Sequence, residues 1–107
     1  MSTKQLTIDY LTEQIEKAGA IRSRKMFGEY ALYCNEKVIA FVCDDQLFIK
    51  RTEEGKKFIG KPKEAPAYPG SKMYYLIEGD LWENSEWLSE LVRVTAEELP
   101  TPKSKKK

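Results

Sequence analysis

The sequence predicts an α+β domain, an antiparallel sheet of four to five strands packed by N- and C-terminal helices. Three observations carry this reading. Apolar residues recur at helical spacing only near the two ends of the chain. Between Ile21 and Lys50 they alternate or run in short blocks, and the breaks between blocks are only one to three residues long. Connections that short leave no room for a crossover, so sequential strands must be antiparallel neighbours. A chain of 107 residues suits one domain with a modest core.

The elements follow in chain order. Leu6, Tyr10, Leu11, Ile15 and Ala18 share one helical face and Gly19 follows as a stop, which places a helix over about 5–18. Strands are expected at about 22–27, 29–34, 38–43 and 46–50. Gly28, Asn35-Glu36-Lys37 and Asp44-Asp45 separate them. Gly28 suits a bend or bulge, where a residue without a Cβ is needed. Thr52 caps a short helix running to Phe58-Ile59. The segment "GKPKEAPAYPGSK", rich in proline and glycine, reads as a loop. "MYYLIE" resumes as a strand. Asn84 or Ser85 then caps a last helix with Trp87, Leu88, Leu91, Val92 and Leu99 on one face. The order is therefore α-β(4)-α-β-α over residues 1–100, followed by a flexible, Lys-rich tail, 101–107.

Strand 38–43 is apolar at every position, which implies burial on both faces. Strict alternation assigns Val38, Ala40 and Val42 to one face and Ile39, Phe41 and Cys43 to the other. Two helices cover one side of such a sheet. A homodimer over the second face or the neighbouring sheet edge is the expected cover for the rest.

Net charge is +1, which gives no general pull toward nucleic acid or membrane. Its distribution is uneven. Residues 21–77 are basic in sum, whereas residues 78–100 set seven acidic side chains against Arg93 alone. Such polarity suits the orientation of a partner. No apolar window long enough for a membrane span is present, and the first ten residues lack the pattern of a secretory signal, so a cytoplasmic protein is expected. If 35–37 is a turn, Cys34 and Cys43 lie roughly 16 Å apart along the ladder, too far for a disulfide, so both are expected as free thiols.

The chain contains no histidine, which removes Ser–His and Cys–His nucleophile pairs and leaves two thiols as the only soft metal ligands. The glycines form no phosphate-binding loop. Asp44-Asp45 reads as a turn-forming pair, and Glu53-Glu54 as charge at a helix start. No catalytic site, metal or cofactor is therefore expected. Arg22, Arg24 and Lys25, with Lys50 and Arg51, are the candidate nucleic-acid contacts, as a basic patch at the strand ends aided by the tail. Tyr74 and Tyr75 point to opposite faces of their strand, so at most one of them lies on an open surface.

Arg24, Met26, Phe27, Gly28, Tyr33, Ala40, Val42, Asp44, Leu47, Lys50, Tyr68, Met73, Tyr74 and Tyr75 together fall on a further pattern. Across about residues 9–99 the chain resembles the N-terminal domain of the TfoX/Sxy family, bacterial regulators of competence. Glu29 stands where that family has a second Gly, Ile39 where it has Phe, Phe48 where it has Tyr, and Ala67 where it has Phe. The resemblance implies an α+β domain without a known catalytic site, corresponding to the first of the two domains of full-length members, which act with the cyclic-AMP receptor protein at competence promoters. The expected function is thus a non-enzymatic regulatory module that binds a protein partner, such as a transcription regulator, in the control of transcription or competence. Direct DNA binding is the alternative.

Overall fold

The computed structural model describes residues 4–26 and 29–99. Helix α1 (Gln5–Gln14) and a single 3-10 turn (Glu16–Ala18) lead into four sequential strands, β1 (Ile21–Met26), β2 (Glu29–Cys34), β3 (Lys37–Cys43) and β4 (Gln46–Ile49). Helix α2 (Glu53–Ile59), strands β5 (Lys63–Pro66) and β6 (Met73–Ile77), and helices α3 (Gly79–Trp82) and α4 (Ser85–Glu98) complete the chain. The six strands form one antiparallel sheet in the order β1-β2-β3-β4-β6-β5. The α+β class is as the sequence predicts. None of the described helices is long and apolar enough to cross a membrane.

Both inner hairpins close through two-residue turns. Asn35 and Glu36 have φ of 54° and 72°, and Asp44 and Asp45 have 54° and 59°. Two consecutive left-handed residues match the twist of the flanking strands, and Asn and Asp tolerate that region better than other side chains. Asp45 also ties its turn to the first helix. Its Oδ1 accepts from the Lys4 N–H at 3.0 Å and the Thr7 hydroxyl at 2.9 Å, so the turn caps α1. These bonds hold the Asp45 carboxyl below its ordinary range. The bend expected at Gly28 lies outside the described residues, as do Phe27, the side chain of Met26 and the tail 101–107.

The helices cover one side of the sheet. Ile8, Leu11 and Ile15 meet Leu32, Leu47, Ile49 and Ile77 from the sheet and Leu88, Leu91 and Val92 from α4, all close to fully buried. Two caps close as expected: the Thr52 Oγ1 accepts from the Gly55 N–H at 2.9 Å, and the Asn84 Oδ1 from the Trp87 N–H at 3.1 Å. A Cβ on Gly55 would stand 2.7 Å from the Thr52 Oγ1, so the cap itself requires glycine there. A third cap comes from far along the chain. The two carboxylate oxygens of Glu98 accept from the N–H groups of Glu53 and Glu54 at 3.1 and 2.9 Å, joining the end of α4 to the start of α2.

Four expectations need correction. The first helix ends at Gln14 and a separate 3-10 turn carries the chain to Ala18, and a short helix α3 precedes α4. The strand count is six, because residues 63–66 lie within the segment read as a loop yet pair with β6 as an edge strand. An edge tolerates Pro66 and exposed Lys63 and Glu64, residues that suppress a strand signal in the sequence. The alternation along β3 also breaks. Leu32 pairs with Ala40 and Tyr33 with Val38, so Ile39 has no counterpart and forms a bulge. Ile39 and Ala40 therefore both enter the helix-side core with Val42, while Phe41 and Cys43 face the other way.

Candidate functional site

The second face of the sheet carries no helix among the described residues. At one end the segment after β5 folds back over it, and Ala67 buries Cys43 and Phe48. Elsewhere the face is half-open. Phe41 and Tyr74 meet edge to face, with ring centroids 5.6 Å apart, and Leu76 and Ala65 pack beside them. The guanidinium of Arg22 lies 4.1 Å above the Tyr33 ring, from the neighbouring strand, and also reaches the Glu36 Oε1 at 3.2 Å. Arg24, opposite Ala31 on the same face, is exposed.

Lys50 follows the last residue of β4 and enters a groove of about 760 Å³ with Phe41, Tyr68, Lys72, Met73 and Tyr74 in its walls. Burial, reinforced by the charge of Lys72, pulls the Lys50 ammonium below its ordinary pKa. Burial first, then proximity to Tyr68 and Cys43, raises the Tyr74 phenol. A second groove of about 820 Å³ shares Phe41 and Tyr68 with the first and ends against Glu29 and Asp44. The face thus runs from a basic, aromatic region to an acidic end.

The structure brings only some of the sequence-selected residues together. Arg22, Arg24, Tyr33, Lys50 and Tyr74 share the helix-free face, with Tyr68 exposed at its margin. Lys25 does not join them. It pairs with Tyr30, whose ring enters the helix-side core and whose hydroxyl donates to the Gln5 Oε1. Arg51 turns to the Glu64 Oε1 at 3.0 Å. Tyr75 is buried and donates to the Thr52 carbonyl at 3.3 Å, so Tyr74 and Tyr75 do take opposite faces. Asp44 is a turn residue whose N–H donates to Glu29. The basic patch at the strand ends is therefore split between two sides of the sheet, because alternate residues of β1 face opposite ways.

Lys72 and Phe41 do not stand out as contacts in the sequence. Lys72 lies two residues before Tyr74, and that spacing is the signal that could have found it. Both cysteines are free and buried. Burial raises the Cys34 thiol, and burial with Glu29 and Asp44 pushes Cys43 up to about 11, which suppresses thiolate chemistry at both.

The helical layer presents a different surface. Leu6 is 78% exposed, and Tyr10 and Leu81 are also exposed. Tyr10 sits one helical turn after Leu6, and its ring lies 6.5 Å from that of Trp82, the neighbour of Leu81. Asp9 and Glu13 on α1, and Asp80 and Glu83 on either side of Leu81 and Trp82, are exposed as well.

The architecture is thus a small antiparallel sheet closed by helices on one side and presenting rings and cations on the other. The chain belongs to the TfoX N-terminal domain family, which it matches over residues 13–99. That family is regulatory and non-enzymatic, and is associated with competence. The chain is also 38% identical over 106 residues to an uncharacterized 12.7 kDa protein in the trpE 5' region of Spirochaeta aurantia, covering 99% of this chain and 91% of that protein.

Proposed function

We propose that this protein is a non-enzymatic regulatory module of the cytoplasm that binds a protein partner in the control of transcription or competence. The observation that carries the reading is the exposure of Leu6 and Tyr10 one turn apart on α1 beside Asp9 and Glu13, with exposed Leu81, Asp80 and Glu83 on the segment whose Trp82 ring meets Tyr10. Exposed apolar side chains accompanied by charge of one sign suit a partner that offers apolar groups among lysines and arginines. A transcription regulator with a basic surface has that chemistry. Family membership supports the regulatory role.

Leu6→Glu tests this reading, because a residue so exposed contributes little to the fold. The partner is identified by affinity capture with the unaltered protein and then titrated against both forms. The reading expects binding that Leu6→Glu weakens at least tenfold with no change in the melting midpoint. Equal binding by both forms would sink it.

Self-association belongs to the same proposal in one form, a homodimer paired through the edge of β1, which has a strand on one side only among the described residues. Sedimentation equilibrium decides, and a monomer mass persisting to high protein concentration removes the dimer.

A further inference from the structure

The rings and cations of the helix-free face make no use of the exposed apolar residues of the helical layer, and they ask for a ligand of their own. Lys50 is half-buried, repelled by Lys72 and engaged in none of the ion pairs among the described residues. The remaining residues, 1–3, 27–28 and 100–107, contain no Asp or Glu that could supply the missing side-chain carboxylate. The acids of the Lys50 groove are mostly committed elsewhere: Glu64 to Arg51 and Glu98 to the start of α2. An anion from outside is what this pair of lysines lacks.

Rings accompany the charge at two separate places. Tyr33 lies under Arg22 on the β1–β2 side, and Tyr74 with Phe41 lies beside Lys50 on the β4–β6 side. Three strand spacings separate Tyr33 on β2 from Tyr74 on β6, roughly 14 Å across the sheet. Phe41 and Tyr68 continue the ring surface into the second groove. A ligand that fits must repeat an anionic group and a flat ring along its length.

We propose that this face binds single-stranded nucleic acid, with Arg24, Lys50 and Lys72 contacting phosphates and Tyr33, Tyr74 and Tyr68 stacking on bases. Lysine suits a phosphate as a point charge, and a base stacks on an aromatic ring whatever its sequence. A duplex keeps its base faces inside and offers the rings nothing. An acidic peptide would satisfy the lysines but would leave most of the ring surface without a flat partner. The proposal goes beyond the protein-partner reading and uses a different surface, so either can fail alone.

Fluorescence anisotropy of the full chain with a short labelled oligo(dT), over a salt series, tests it. The expected result is tighter binding of the single strand than of a duplex of equal length, with log affinity falling linearly in log salt. Lys72→Ala and Arg24→Ala should each weaken binding about threefold or more and flatten the slope by about 0.7. Tyr74→Leu should weaken binding at unchanged slope, and Lys57→Ala, on α2, should change nothing. Lys72 and Arg24 are exposed, so their removal leaves the fold intact and keeps the test open even if Tyr74→Leu unfolds. Absence of binding, a duplex bound as tightly, or an affinity indifferent to Lys72 and Arg24 (as the lysine tail alone would give) overturns the proposal. So does a poly-glutamate peptide that displaces the oligonucleotide at equal charge concentration, which would assign the face to an acidic protein.

Discussion

The two faces of the sheet are built from the same strands by alternation, and they have diverged in what they ask of their residues. Leu32, Leu47, Ile49 and Ile77 face the helices and are almost completely buried. Tyr33, Tyr74 and Leu76 on β2 and β6, with Phe41 on β3, face the other way and remain half-exposed. The first set stabilises the domain by removing apolar area from water. The second leaves rings within reach of cations and removes less apolar area from water. Cys43 and Phe48 at one end are closed over by Ala67, and Ala31 on β2 is buried too, so the difference lies within one face as well as between the two.

The widest contrast should appear on truncation. Leu91→Ala, under the helix-side core, should destabilise by about 2–5 kcal/mol. Phe41→Ala, on the half-open face, should cost about 1 kcal/mol. Urea melts of the two variants check this, and equal losses would mean that the second face is core rather than surface. Gly55→Ala comes next. The new Cβ meets the Thr52 Oγ1, so the cap must shift, and a loss of about 1–3 kcal/mol is expected in the same melts. Gly79→Ala, where a Cβ meets nothing within 4 Å, is the control and should change little.

A smaller effect concerns acid. The N–H groups of Glu54 and Glu53 hold the Glu98 carboxyl below its ordinary value of 4.5. A group whose folded pKa is depressed adds stability above its unfolded pKa and loses it as pH falls through the folded one. Melting midpoints followed downward from pH 5 should therefore drop, and Glu98→Gln should make that drop shallower while lowering the plateau at neutral pH. Hydrogen bonding at the junction of α4 and α2 would then contribute to the acid limit. An unchanged profile in Glu98→Gln would mean that the cap between α4 and α2 contributes nothing measurable.

The smallest effect is the most selective for the open face. Glu36→Gln removes the exposed partner of Arg22 and should move the melting midpoint within error, since such pairs contribute little. It should tighten oligo(dT) binding slightly, by freeing a guanidinium that stands over Tyr33. Weaker binding would show that Glu36 is needed to hold Arg22 in place.

What the sequence made legible was local. Helical spacing, the caps at Thr52 and Asn84, and the short breaks at Asn35 and Asp44 placed most elements within one or two residues, because each signal sits within a few positions of its effect. The bulge at Ile39 was hidden, since an unpaired residue is defined only by the register of the neighbouring strand. Strand β5 was hidden by the prolines and charges that make it an edge. The same limit governed the surface. Arg24 and Lys25 read as one patch until the pleat sent Lys25 to the other side, and Lys72 read as loop until the fold set it against Lys50.

The bond from Glu98 to the start of α2 also couples two distant segments. Helix α2 spans seven residues, too few to persist in water by itself, and two of its first N–H groups exchange water for a carboxylate more than forty positions away. Any excursion that frays the last turn of α4 therefore returns the first turn of α2 to solvent. Amide hydrogens at Glu53 and Glu54 should exchange with solvent at a rate set by α4, so that two segments distant in the chain breathe as a single unit.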